Sequence, residues 1–135
     1  MRIYLLAILL ASVCVRADIQ QLKQWANHNG DICKIAVEGR ILNRLAPGWD
    51  GVGEPTISTG EALRLAKEYI TKKSGNSQVL PASIKYYSYR NLGMRSNIWI
   101  HEVHLVVFKD SKPIDKYLVV LPNEDVVNGE CIKTS

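Results

Sequence analysis

Two histidines three residues apart, in His101-Glu102-Val103-His104, are the first pattern in this sequence that suggests chemistry. The surroundings are β-branched and read as a strand, on which residues three apart point to opposite faces. Two imidazoles so placed cannot share one ion. The spacing also differs from the zinc-protease form, which needs histidines four apart around a Glu on a helix. Glu102 and His104 share a face and are expected to pair. Asp50 has a carboxylate neighbour at Glu54, but both lie in a glycine-rich loop, where no paired acid/base geometry can be argued. Cys33 follows His28 by five residues without a third group to orient a nucleophile. The expectation is therefore no catalytic residue, no metal and no cofactor. An envelope-acting enzyme using Asp50, His101 or His104 is the alternative.

Binding chemistry is better represented. Lys85-Tyr86-Tyr87-Ser88-Tyr89-Arg90 interleaves aromatic and basic residues. On a strand Tyr87 and Tyr89 share one face, while Tyr86 and Arg90 share the other. Such rings can stack on a sugar or peptide, and they are also ordinary strand residues whose hydroxyls reach a rim. The loop Gly48-Trp49-Asp50-Gly51-Val52-Gly53 lacks the Gly-Lys-Ser/Thr ending of a phosphate cradle. Trp49 is expected to plug the core beneath a helix and Asp50 to bond loop amides as an Asx-turn. Trp49, Asp50, Tyr87, Tyr89 and Arg90 are the candidate binding residues.

These residues are positioned by a chain of 135 residues that is 47% hydrophobic and 22% charged, enough for one globular domain. A mean hydropathy of -0.05 excludes a multi-span membrane protein. Arg2, the apolar run of residues 3–15 and Val15-Arg16-Ala17 form a signal-peptide pattern, too short to span a bilayer. Cleavage is expected after Ala17, with a periplasmic or secreted destination. A lipid anchor on Cys14 would need a small residue such as Gly or Ala before it, where Val13 stands. Loss of residues 1–17 leaves 118 residues and a formal charge of +2, because Arg2 and Arg16 leave too. So small a charge gives no argument for a nucleic-acid partner. Cys33 and Cys131 then form an even pair, expected as a disulfide in an oxidising compartment.

Ile19, Leu22, Trp25 and Ala26 recur at helical spacing and predict an amphipathic helix over residues 18–27. Residues 32–45 fit a helix broken at Gly39 or two short strands, and the helix is the expectation. A loop follows over 46–55. Ser58 with Glu61 makes a capping box that opens a helix through Ala62, Leu63, Ala66, Tyr69 and Ile70, ended at Ser74-Gly75-Asn76. Beyond Pro81 the period changes to two, with strands over 83–90, 98–108 and 116–121 joined by short turns. The fold class is α+β: an antiparallel three- to four-stranded meander on one main helix, with an N-terminal helical segment, in a single domain over 18–135. The strand at 98–108 is apolar on both faces, so residues 18–46, a second copy or a partner must cover the face opposite the helix. The intramolecular cover is the expectation.

The order of elements from Pro55 onward resembles the PepSY family and its cystatin-like relatives among exported bacterial proteins. The resemblance rests on Ile57-Ser58-Thr59-Gly60-Glu61-Ala62 opening a helix and on the strands at 84–90, 98–108 and 116–121. It also includes the close Val119-Val120-Leu121-Pro122-Asn123-Glu124-Asp125-Val126-Val127. The segment Gly48-Trp49-Asp50-Gly51-x-Gly53 is similar to a loop of uncharacterised bacterial families. The PepSY resemblance implies a non-catalytic module, in some members one that inhibits or chaperones a peptidase. The expectation is thus a binding module recognising a protein or peptide through its sheet face or edge, with self-association as a further possibility.

Overall fold

The computed structural model describes residues 18–75 and 77–133. The expected leader, its cleavage point and Cys14 lie outside the described residues. The architecture is α+β, with two helices and two antiparallel sheets. In chain order the elements are β1 (Ile19–Ala26), β2 (Ile32–Glu38), α1 (Gly39–Leu45), α2 (Thr59–Ser74), β3 (Gln78–Tyr89), β4 (Ile98–Lys109), β5 (Lys112–Val120), β6 (Val126–Asn128) and β7 (Glu130–Ile132). One sheet has the order β1-β2-β7 and the other β3-β4-β5-β6.

The four-stranded sheet is buried on both sides, as the double apolar face of β4 requires. Val103, Leu105 and Val107 pack with Leu118 and Val120 of β5 against Ala62, Ala66 and Ile70 of α2. On the opposite face Ile98, Ile100, Val119 and Leu121 pack against Ile35 and Val37 of β2 and Leu42 of α1. The N-terminal segment is the cover that the apolar pattern demanded. Ser58 caps α2 as expected, its Oγ accepting from the Glu61 amide at 3.1 Å. The Glu61 carboxylate turns instead to Arg64, 2.6 Å away.

Two expectations are corrected. Residues 18–27 form no helix. In register, Gln20, Lys23 and Trp25 oppose Val37, Ile35 and Cys33, and a β-bulge at Leu22 interrupts the ladder. The extra residue stretches the strand's period of two locally to three, which imitates helical spacing in the sequence. Residues 32–45 divide at Gly39, where the expected helix was to be broken, but only the second half is helical: Cys33, Ile35 and Val37 alternate inward on β2, as the strand alternative had it, and only then does α1 begin. Gly39 sits where its N–H donates to the Asp18 carbonyl at 2.6 Å, and a Cβ there would stand 3.2 Å from that oxygen.

Cys33 and Cys131 face each other in the β2–β7 ladder and are joined, so β7 belongs to the N-terminal sheet although it ends the chain. The bridge is compatible with an oxidising, exported compartment. Between β6 and β7 the chain passes so close to Trp25 that a Cβ at Gly129 would collide with the indole. None of the described helices is long and apolar enough to cross a membrane.

Candidate functional site

A strand has two hydrogen-bonding sides, and among the described residues β3 is paired on one. Its twelve residues pair with β4 across a bulge between Pro81 and Ser83, and among the described residues no strand lies on its outer side. A free edge presents unpaired N–H and C=O groups to any extended chain. Pro81 and the bulge blunt one end, leaving the stretch from Ile84 to Tyr89 regular. Two aromatic clusters flank that stretch.

On the α2 side, Tyr86 of β3 stands beside Trp99 of β4 with ring centres 5.2 Å apart. Trp49 reaches over from the 46–57 loop to lie 4.8 Å from Trp99 and 5.5 Å from Tyr86. The loop is shaped for this. The Asp50 carboxylate accepts from the Val52 amide at 2.9 Å, the expected Asx-turn, and the Trp49 indole N–H donates to the Val52 carbonyl at 3.1 Å. Trp49 thus packs over Tyr86 and Trp99 of β3 and β4 and is not part of the core beneath α2. Under this cluster His101 stacks on Tyr86 at 4.2 Å and is 2% exposed. Its Nε2 has no hydrogen-bond partner, and burial holds its pKa below the ordinary 6.5. Beside it is a cavity of about 10 Å3 walled by Gly48, Thr56, Val120 and Pro122, room for about one water.

On the other side Tyr87 and Tyr89 turn toward the N-terminal layer. The Tyr87 hydroxyl approaches Glu102 at 3.4 Å, and burial together with that carboxylate pushes the phenol up to about 12. Glu102 is paired with Lys23 of β1 at 2.7 Å. Lys23 also lies over the Tyr117 ring at 4.6 Å, and Tyr117 stacks on His104 at 4.3 Å. His104 Nε2 meets Asp115 at 2.7 Å. The pairing expected between Glu102 and His104 is therefore replaced by two pairings across strands. Asp115 stands two residues along β5 from Tyr117, which is directly opposite His104. That diagonal is in reach of an imidazole. Strand register finds such a contact and a linear motif does not, which is why Lys23, Asp115 and Tyr117 escaped the sequence reading.

The remaining candidates are dispersed. Arg90 follows β3 and is exposed. His101 and His104 lie on opposite faces of β4. Asp50 is exposed and does not line the cavity at His101. Cys33 is bound to Cys131, so the thiol needed beside His28 for nucleophilic chemistry is absent from this state. Among the described residues no three His, Cys, Asp or Glu side chains converge as a metal site would require. Comparison with models of known families, with curated proteins and with solved structures gives no match.

Proposed function

We propose that this chain is a non-catalytic exported module that takes an extended protein or peptide segment along the open edge of β3. Strand addition of this kind draws affinity from main-chain hydrogen bonds and selectivity from alternate side chains. The observation that carries the reading is the unpartnered, regular edge from Ile84 to Tyr89, where β4 is paired along both sides. The sheet face is the weaker route, because α2 and the N-terminal layer already occupy its two sides. Tyr86 and Trp49 supply an aromatic wall for every second residue of the guest. Lys85 and Arg90 are exposed and have no carboxylate partner among the described residues, which favours acidic guest residues opposite them. The PepSY-like and cystatin-like resemblance, a meander on one main helix, fits a peptidase-inhibitor-like role after signal-peptide removal.

The test is selection of peptides from a displayed random library on the immobilised protein, followed by amide hydrogen exchange. Bound peptides are expected to slow exchange of the outward amides of β3 and to weaken when Lys85 and Arg90 are both changed to Glu. Selected peptides that leave β3 exchange unchanged refute the edge reading. Sedimentation at rising concentration separates it from self-association through the same edge.

A further inference from the structure

Away from β3, a concavity of about 440 Å3 lies between α1 and the loop joining β3 to β4, lined by Arg40, Asn43, Arg44, Arg95, Asp18 and Gly39. Arg40 and Arg44 are four apart on α1 and so rise from one side of the helix. Arg95 enters from a loop held at two points. Met94 is buried in the core, and the Arg95 amide donates to Asn43 Oδ1 at 3.0 Å. The helix is itself fixed, by Leu42 at 0% exposure and by the Gly39 to Asp18 hydrogen bond. The three arginines therefore line one hollow from anchored backbone.

Their charges are only partly met. Arg40 pairs with Glu38 at 3.2 Å. The lining carboxylate, Asp18, accepts from the Gln20 side-chain amide at 2.8 Å. Arg44 and Arg95 have no acidic partner among the described residues. The contrast is Arg64 on α2, gripped by Glu61 and Glu68 at 2.6 and 2.9 Å. Guanidinium forks match the paired oxygens of an oxyanion, and a phosphate group offers more oxygens and more charge than one carboxylate. We propose that this hollow, with Arg44 and Arg95 as its principal donors and Arg40 at its rim, binds a phosphate group.

Inorganic phosphate titrated into the purified protein at low salt, followed by NMR of the arginine side chains, tests this. Saturable shifts of Arg44 and Arg95 are expected, weakening with added sodium chloride. Arg44→Ala with Arg95→Ala is expected to weaken binding by about tenfold or more, the scale of a lost charge-assisted hydrogen bond. Both positions are exposed, so the fold, checked by circular dichroism, should persist. Arg64→Ala is expected to leave phosphate binding unchanged. Absence of saturable shifts, or equal binding by the double alanine variant, overturns the proposal. Phosphatidylglycerol vesicles then identify the source. Vesicle binding lost in the double variant assigns the phosphate to a lipid headgroup, whereas phosphate binding without vesicle binding assigns it to a soluble ester. Neither result depends on peptide binding at β3.

Discussion

His101 makes the folded state sensitive to mild acid, and the size of the effect follows from its surroundings. The imidazole is 2% exposed, its Nε2 is unpartnered, and no residue lining the adjacent cavity carries a charge that would stabilise an imidazolium. Burial lowers the folded-state pKa from 6.5. The unfolded chain, with its histidine in water, then takes up a proton that the folded chain refuses. Stability is unaffected above pH 6.5, falls by up to about 1.4 kcal/mol per pH unit below it, and levels off once the folded-state value is passed. Total stability is roughly 5–15 kcal/mol, so a loss on this scale is measurable.

The assay is urea unfolding at pH 8, 7, 6 and 5, followed by tryptophan fluorescence, of the native protein and of His101→Phe. Phenylalanine keeps a ring on Tyr86 and removes both the orphan nitrogen and the titration. Other groups titrate in both proteins and cancel in the difference. The stability gap in favour of the variant should widen below pH 6.5. Any overpacking by the larger ring shifts the gap by a constant and leaves its slope intact. Curves that stay parallel from pH 8 to pH 5 would refute the argument, since they would mean that the buried imidazole charges without cost.

The Cys33–Cys131 bridge closes a sequence separation of 98 residues. Replacing both cysteines by alanine should lower the unfolding free energy by up to about 4–5 kcal/mol in the chain-entropy model, read as a drop in the urea midpoint. An unchanged midpoint would show that the unfolded chain gains little freedom from the loss. Ser58→Ala removes the acceptor for the Glu61 amide and should cost about 1 kcal/mol by the same measurement, whereas Ser58→Gly should cost only a few tenths.

Legibility in this sequence tracked how local the determining contacts were. The α2 cap was readable because Ser58 and Glu61 are three residues apart and meet within one turn. The double burial of β4 was readable because its alternation is written in one stretch, and it correctly demanded a second covering layer. The identity of that layer was misread, because the β1 bulge at Leu22 gives a strand the spacing of a helix. No residue near Leu22 announces the bulge. It exists because Gln20, Lys23 and Trp25 must all meet β2, and β2 is itself ordered by its fit to Ile98 and Ile100. The polar network was invisible for the same reason, since Lys23 finds Glu102 only after two sheets have packed.

The misread segment also bears on the edge site proposed above. Had residues 18–38 formed a helix standing off the sheet, the face bearing Ile98 and Ile100 would have been the larger apolar surface on offer. As strands, they cover it, tie Tyr87 and Lys23 to Glu102, and draw the end of the chain in through Cys131. On one face β3 packs against α2, and on the other Tyr89 reaches Gln20 of β1; its outward backbone groups are unpaired among the described residues, and so is the enclosed Ser88 Oγ. Buried backbone polar groups must be paired, and solvent-exposed ones gain by pairing only when a guest also brings side chains that displace water. The aromatic wall of Trp49, Tyr86 and Trp99 beside that edge provides the apolar surface on which such displacement is favourable. A guest is therefore expected to make its energetically largest side-chain contact at Tyr86, and Tyr86→Ala should weaken binding more than truncation at either Tyr87 or Tyr89.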